Sequence, residues 1–369
     1  MKVLSLFDGM ACGMIAFKEL GIPIERYVAY EIDKYAVQTS SHNFPMIEHR
    51  GAVFGVDFSE FVGFAWLIRG SPCTYWSIAQ TKNRETEASG MGWELFSQYV
   101  RALNEAKPKY FLYENNKSMS DEIRKSISDT FGFEPIYINS ALVSAQNRQR
   151  LYWVGKRNAD GTYSKVDVEQ PVDRGILLKD ILDSGCDLTS KDKSYTLTAS
   201  YNGAVPWNTI ERNQKNMVAE PVATDKDGKE FCLTANYAGA HIPHSLEKSV
   251  RSMCAEPVAC RCRGRKDENG NGYANQVYEV ENGLITIKNK QYPIKLADGF
   301  YIIRKLTVLE CKRLQTVPEW YEFPISKAQA YKMLGNGWTV DVIKHLITSA
   351  YNRPVVNWTK QMTFDEFVN

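Results

Sequence analysis

The sequence predicts an α/β protein: a doubly wound, mostly parallel sheet, with a smaller irregular domain inserted before the last helices. Three observations carry this expectation. The apolar run Lys2-Val3-Leu4-Ser5-Leu6 leads into the turn Phe7-Asp8-Gly9-Met10-Ala11-Cys12-Gly13, and a helical pattern follows from Met14 to Leu20. Such a strand–turn–helix opening uses glycine to let the backbone approach a nucleoside or phosphate. Short apolar runs then alternate with helical patterns through residues 1–155, the pattern of a parallel sheet with crossover helices. From about residue 185 the texture changes to Gly, Asn and Thr with shorter apolar runs.

Taken in order, Val28-Ala29-Tyr30-Glu31 reads as the second strand, Tyr35 to Asn43 as a helix, and Trp66-Leu67-Ile68 as strand four. A long helix with a capping serine is expected near Gly92 to Glu105. Tyr110-Phe111-Leu112-Tyr113 follows as a buried strand, and Arg148 to Val154 as a strand closing the sheet. The inserted region contains an internal repeat. Leu197-Thr198-Ala199-Ser200-Tyr201 returns as Leu233-Thr234-Ala235-Asn236-Tyr237, and Ala219-Glu220-Pro221-Val222 as Ala255-Glu256-Pro257-Val258, both offset by 36 positions. Two copies are too few for a solenoid. Helical patterning returns at Thr307–Leu314 and Ala328–Tyr351. The expected organisation is residues 1–184, an inserted domain over 185–300, and C-terminal helices over 301–369 that return to the sheet.

Bulk properties bound the function. With 44% apolar and 24% charged residues, the composition is that of a soluble globular protein. No apolar run reaches the roughly 18 residues that span a bilayer, and the start lacks a signal-peptide pattern. A cytoplasmic location without membrane contact is therefore expected, and the eight cysteines read as free thiols. A net charge of +2 leaves any nucleic-acid surface to a local patch.

Candidate chemistry concentrates at strand ends. Gly70-Ser71-Pro72-Cys73 places a thiol just after strand four, facing the crevice that the glycine turn opens, because ligands of open parallel sheets bind at the carboxyl ends of the strands. Glu114, in Tyr113-Glu114-Asn115-Asn116, ends the next strand. Gln146, Arg148 and Arg150 alternate and are expected on one strand face. Arg304-Lys305-Leu306-Thr307, with Glu310, Arg313, Leu314 and Gln315, opens a helix, and Gly335-Asn336-Gly337 breaks the last helical region. Plainer readings stand beside these: a solvated face for Arg148 and Arg150, a helix cap for Glu114.

Together, and in this order, these motifs resemble the DNA cytosine-5 methyltransferases over roughly residues 1–155 and 300–350, closest to the de novo type and to phage or bacterial orphan enzymes. The resemblance implies the S-adenosylmethionine-dependent methyltransferase fold, with S-adenosylmethionine as cofactor and double-stranded DNA as partner. Cys73 is then the nucleophile that adds to carbon 6 of a flipped cytosine, with Glu114, Arg148 and Arg150 completing the catalytic set. Glu31 matches the ribose-binding carboxylate. Phe7, Asp8, Gly9, Gly13, Ile32, Ala52, Arg69, Pro72, Leu95 and Asn336 match the cofactor pocket. Ser77 and Gln146 fall at DNA-contact positions, and Thr74 to Ser89 looks like the loop that closes over the base. Residues 185–300 occupy the place of the target-recognition domain, where Arg261, Arg263 and Arg265 form a basic loop suited to phosphates or guanine edges. A paired restriction nuclease and a monomeric state agree with the resemblance. His241, His244, Cys260 and Cys262 match no standard zinc spacing, so no metal is expected.

The chain departs from the family at the cofactor. Ala52 stands where an aspartate usually accepts a bond from the adenine amine, with Asp57 five residues on. Ala65 replaces a second common aspartate, and Arg69 stands where a small residue is usual. These changes suit weakened binding or a carboxylated form of the cofactor. An RNA methyltransferase of the same family and a catalytically impaired DNA-binding remnant are the rival readings.

Overall fold

The structure, a computed structural model, describes residues 1–78, 84–221 and 277–351. These fall into two units: Met1–Leu177 with Thr196–Asn202 and the chain from Val308, and Leu178–Tyr195 with Gly203–Thr307.

The first unit is built on strands β1 (Lys2–Leu6), β2 (Arg26–Tyr30), β3 (Ile47–His49), β4 (Trp66–Ile68), β5 (Tyr110–Asn116), β6 (Ile136–Asn139), β7 (Gln149–Arg157) and β8 (Tyr163–Lys165). Its order is β3-β2-β1-β4-β5-β7-β6, with β8 beside β7. The pairs from β3 through β5 are parallel. β7 inserts antiparallel between β5 and β6. The chain therefore switches direction of travel between β1 and β4, and a ligand crevice opens there, outside the strand ends.

Helices α1 (Cys12–Glu19), α2 (Lys34–Asn43), α3 (Gly90–Ala106) and α4 (Asp121–Phe131) make the crossovers. β1 and β2 are buried except at their first residues, as expected for strands covered on both faces. An aromatic cluster under α3 fills one side of the sheet: Phe96 and Tyr99 meet Tyr113 edge to face, with centroids 5.3 and 4.9 Å apart. The Tyr99 hydroxyl donates to the Leu112 and Leu67 carbonyls, so this ring is pinned to both β4 and β5.

The second unit is more regular than its composition suggests. Among the described residues its strands are β9 (Cys186–Asp187), β10 (Met217–Pro221), β11 (Val277–Glu281), β12 (Leu284–Ile287), β13 (Lys290–Pro293) and β14 (Gly299–Lys305), with a short α-helix, α5 (Pro206–Arg212). They form an antiparallel sheet in the order β13-β12-β11-β14-β10-β9. Asn282 and Gly283 join β11 to β12, and Lys288 and Asn289 join β12 to β13, all four at positive φ. Two consecutive left-handed residues make the tight hairpin turn that matches strand twist.

Helices α6 (Val308–Leu314), α7 (Lys327–Asn336) and α8 (Val340–Ala350) complete the first unit. The helical region from Ala328 to Tyr351 is broken at Gly335-Asn336-Gly337 as expected: α7 ends with Gly337 at its C-cap, and Thr339 stands at the N-cap position of the next helix. The boundaries also differ from those expected: Leu178–Ser184 and Tyr301–Thr307 belong to the second unit, whereas Thr196–Asn202 belongs to the first. The reason lies in hydrogen bonding. The Leu197 N–H donates to the buried Gln146 side chain, and the Leu197 carbonyl accepts from Arg148. The first repeat copy is thereby stitched to the sheet unit. Its second copy lies outside the described residues.

Candidate active site

The turn after β1 carries most of the unusual backbone in the crevice. Phe7, Gly9 and Ala11 all have φ between 57 and 59°. Arg69, immediately after β4, has φ 102°. Left-handed non-glycine residues cost about 1–3 kcal/mol each and persist where the surroundings over-determine them. Gly9 is needed here: a Cβ on it would lie 2.5 Å from an Arg69 guanidinium nitrogen.

Glu31, just beyond β2, fixes this turn. Its carboxylate accepts from the Gly9 N–H at 2.7 Å and from the Ile32 and Asp33 N–H groups at 2.8 Å. It stays partly exposed, with lone pairs left for a ligand diol. Ile32 is exposed beside it, and Phe7, Leu95 and Pro72 are half-buried. Gly13 is buried within α1. Asn336 ends α7 with its side chain exposed.

Asp8, expected at the cofactor through its place in this turn, is buried. It turns inward, accepting from the Ser5 and Tyr27 hydroxyls at 2.5 and 2.7 Å. Burial pushes its carboxyl above the usual carboxylate range. Ala52 lies exposed, three residues past the end of β3. Asp57 is no substitute for the missing aspartate: it caps the following turn through the Ser59 N–H and hydroxyl.

Cys73 opens a short 3-10 turn, Cys73–Tyr75, after β4. The preceding Gly70 lies directly against β5, where a Cβ would come within 1.7 Å of the Glu114 carbonyl oxygen. Asn115 reinforces the junction by donating to the Ser71 carbonyl at 3.2 Å, and the Ser71 and Tyr113 hydroxyls share a 2.7 Å bond. The Ser-Pro-Cys turn is thus keyed to the backbone of Glu114.

The Glu114 carboxylate receives two donors. Arg150 Nε approaches one oxygen at 2.9 Å, and the Trp338 indole N–H donates to the other at 2.9 Å. β5 and β7 pair with Asn116 opposite Arg150, so Arg150 reaches Glu114 diagonally, as neighbouring strands allow. Both side chains keep a little exposure, 13% and 14%, enough for a ligand to meet them.

Gln146 and Arg148 do not join that face. β7 begins at Gln149, so strict alternation does not extend back to them, and both are buried. Arg148 donates to the carbonyls of Leu197, Gly335 and Gly337 at 2.8 to 3.1 Å. Gln146 donates to the Leu314 carbonyl. Arg148 and Gln146, expected as a catalytic and a DNA-contacting residue, thus tie backbone segments together in this structure. Gln315 assists, donating to Leu334 and Gly337 carbonyls. These groups clamp the end of α7 and so aim Trp338 at Glu114. Sequence reasoning missed Trp338, whose signal was an aromatic residue directly after Gly-Asn-Gly.

In the expected closing loop, Trp76 is buried and its indole N–H donates to Glu85, which also accepts from the Gly92 N–H. Arg84 donates to the Trp76 and Ser118 carbonyls. The described ends of the loop are therefore fastened to α3 and to the chain after β5. Ser77 is half-buried. Arg261, Arg263, Arg265 and the four His and Cys residues considered for zinc lie outside the described residues. Among the described residues no group of three His, Cys, Asp or Glu is placed to hold a metal.

A partly exposed carboxylate at the end of β2, a strained glycine turn after β1, and a Pro-Cys turn keyed to the backbone of Glu114 define an α/β protein with a thiol-bearing turn at the carboxyl ends of its strands. Comparison with known proteins narrows the class. The sequence profile of the C-5 cytosine-specific DNA methylases matches residues 1–352, and the chain belongs to that family. It is 27% identical over 363 residues to the type II methyltransferase M1.ScrFI of Lactococcus lactis subsp. cremoris, covering 93% of this chain and 76% of that one. It is 31% identical over 169 residues to the orphan methyltransferase M.SPRI of Bacillus phage SPR, covering 42% of this chain. The matches to M.SPRI and to M.Rho11sI of Bacillus phage rho11s span only 38% and 33% of those relatives. Among solved structures, S. pombe Dnmt2 methyltransferase superposes with a TM-score of 0.55 at 14% identity over 95% of this chain and 98% of that one. A Spodoptera frugiperda DNMT2 mutant gives 0.55 at 18% identity, covering 95% and 99%. These likenesses agree with the mixed, mostly parallel sheet.

Proposed function

We propose that this protein is a DNA cytosine C5 methyltransferase acting on duplex DNA. The observation that supports it best is the Glu114 carboxylate, held between Arg150 and Trp338 beside the Ser-Pro-Cys turn. Carbon 5 of cytosine is too weak a nucleophile to attack a sulfonium methyl unaided. Addition of the Cys73 thiolate to carbon 6 turns the ring into an enamine-like nucleophile. Glu114 pairs with ring nitrogen 3 and the exocyclic amine, stabilising the adduct as charge develops. Arg150 holds Glu114 in place and faces the base's carbonyl oxygen. Loss of the carbon-5 proton and elimination of Cys73 restore the ring. The target base has to leave the duplex to reach this crevice.

S-adenosylmethionine supplies the electrophilic methyl carbon when bound. Glu31 suits its ribose diol, the turn Phe7–Gly13 suits close approach of its backbone-facing groups, and Ile32, Leu95, Pro72 and Asn336 border the same strand ends. Glu31 would hold the ribose diol, whereas Arg69 adds a positive charge to the crevice that would suit an anionic group better than a sulfonium. Residues 185–300, including Arg261, Arg263 and Arg265, select the DNA sequence. The protein acts as a monomer in the cytoplasm, with a restriction nuclease as a possible genetic companion. Among the described residues no helix is long and apolar enough to cross a membrane.

Expression in a host lacking cytosine methylation, followed by mass spectrometry of nucleosides from its DNA and RNA, tests the reading. Modified cytosine in DNA supports it. Modification confined to RNA, or absent from both with soluble protein present, refutes it.

A further inference from the structure

Arg69 is a buried charge of the crevice whose guanidinium is only partly satisfied by hydrogen bonds. It is only 6% exposed and sits at φ 102°, a conformation that favours glycine. Its Nε donates to the Phe7 carbonyl at 3.1 Å, and its guanidinium lies 4.6 Å from the Trp338 ring and against Gly9. Its Nη1 has no hydrogen-bond partner. Asp8, Cys12, Tyr27 and Glu114 lie near enough for their fields to reach it, yet among the described residues none forms an ion pair with it. Asp8 is itself buried, with its own Oδ2 unpartnered and burial favouring its neutral form. Glu114 is committed to Arg150 and Trp338.

A buried donor left without an acceptor, here Nη1, is costly. The strained backbone adds more. Glycine at this position would relieve the strain, at the loss of the Phe7 and Trp338 contacts. The combination is that of a residue retained for a ligand. Its position against Gly9 and Trp338, beside the Glu31-fastened turn, makes that ligand the one the crevice binds.

We propose that Arg69 is a carboxylate-binding residue of the cofactor pocket, pairing with a carboxylate carried by the sulfonium cofactor. The proposal rests on the assignment of this crevice to a nucleoside sulfonium. Two carboxylates share the required chemistry. One is the amino-acid carboxylate that S-adenosylmethionine carries. The other is an added carboxylate on the transferred carbon, as in S-adenosyl-S-carboxymethyl-homocysteine. In the second case carbon 5 of the Cys73 adduct bonds to the methylene carbon, and the carbon–sulfur bond breaks with its electron pair passing to sulfur. S-adenosylhomocysteine leaves, the carbon-5 proton goes to a base or water, Cys73 is eliminated, and the product is 5-carboxymethylcytosine. A planar guanidinium suits either carboxylate, because its fork matches the two oxygens.

The test is calorimetric binding to the full chain without DNA, so it does not depend on transfer activity. Wild type and Arg69→Gly are each titrated with S-adenosylhomocysteine, its decarboxylated counterpart, S-adenosylmethionine and the S-carboxymethyl sulfonium. Arg69→Gly should fold at least as well as wild type, because glycine accepts φ 102° without strain. Losing a charge-assisted pair should weaken the ligand that carries the recognised carboxylate about tenfold to a hundredfold. Weakening of S-adenosylhomocysteine but not of its decarboxylated form identifies the amino-acid carboxylate. Weakening of the S-carboxymethyl ligand alone identifies the carboxylate on the transferred carbon. Equal change across all four ligands, or none, overturns the proposal. Failure of all four to bind wild type would instead count against the cofactor assignment itself.

Discussion

Gly70→Ala is the sharpest perturbation of the crevice that leaves every catalytic side chain in place. The new Cβ would stand 1.7 Å from the Glu114 carbonyl oxygen, 2.7 Å from its carbon and 3.1 Å from its nitrogen. Ordinary contact begins at 3.4 Å, so the two backbones must separate by the difference, 1.7 Å along the tightest line. That movement meets resistance on both sides. The Arg69 N–H donates to the Leu112 carbonyl at 3.0 Å, and Asn115 holds the Ser71 carbonyl. Because the obstacle is backbone, side-chain rotation cannot absorb it. Overpacking of this kind costs about 1–3 kcal/mol of stability. A displacement of about 1 Å between reacting groups costs on the order of 100-fold in rate. Single-turnover transfer to DNA should therefore fall by about that factor or more, while urea unfolding shows a loss of a few kcal/mol at most. A wild-type single-turnover rate in a folded Gly70→Ala protein would refute the argument that this glycine keys Cys73 to Glu114.

Other perturbations follow from the same geometry. Arg148→Met strips the donors from three buried carbonyls and should cost about 3–5 kcal/mol in urea unfolding; a loss under about 1 kcal/mol would return Arg148 to the solvated-face reading. Ala52→Asp offers the adenine amine an acceptor and should tighten S-adenosylmethionine by a few-fold to tenfold, about 0.5–1.5 kcal/mol, and unchanged affinity would place the adenine elsewhere. The Arg26 guanidinium, bonded to Glu48 at 2.7 and 2.9 Å, holds that carboxyl down at about 2. Its folded pKa lies below the unfolded one, so its stabilisation is complete above about pH 4.5 and is lost as pH falls through about 2. With side chains 34% and 40% exposed, the contribution is under about 1 kcal/mol. The stability difference between wild type and Glu48→Gln should shrink across that window, and a difference that stays constant would contradict the pairing.

Much of the first unit was legible because parallel strands buried on both faces read as short apolar runs. Trp66–Ile68 and Lys2–Leu6 coincide with the observed β4 and β1. The antiparallel insertion of β7 between β5 and β6 was not legible, since non-local pairing leaves no local signature. The same gap explains Arg148. Alternation assigned it to the face of Arg150, but the strand starts one residue later, and its charge is spent on carbonyls contributed by distant segments at Leu197 and Gly335. In the second unit, the Asn282-Gly283 turn is a strong hairpin signal that the reading by composition passed over. Trp338 acquires meaning only when the end of α7 is brought to Glu114. The strained Arg69 backbone likewise becomes visible only in three dimensions, although an arginine at a small-residue position had already marked the site.

Covalent attack by Cys73 on a flipped cytosine has a direct test. Wild type and Cys73→Ala are incubated with S-adenosylmethionine, and in parallel with its S-carboxymethyl counterpart. The substrate is a pool of sequence-randomised duplexes carrying 5-fluorocytosine, whose fluorine leaves no carbon-5 proton to lose and so blocks elimination of Cys73. Wild type should give a protein–DNA adduct that survives denaturation and maps by mass spectrometry to the peptide containing Cys73, and Cys73→Ala should give none. An adduct that persists in Cys73→Ala, or maps to another residue, or fails to form in wild type with bound cofactor, would contradict attack by Cys73.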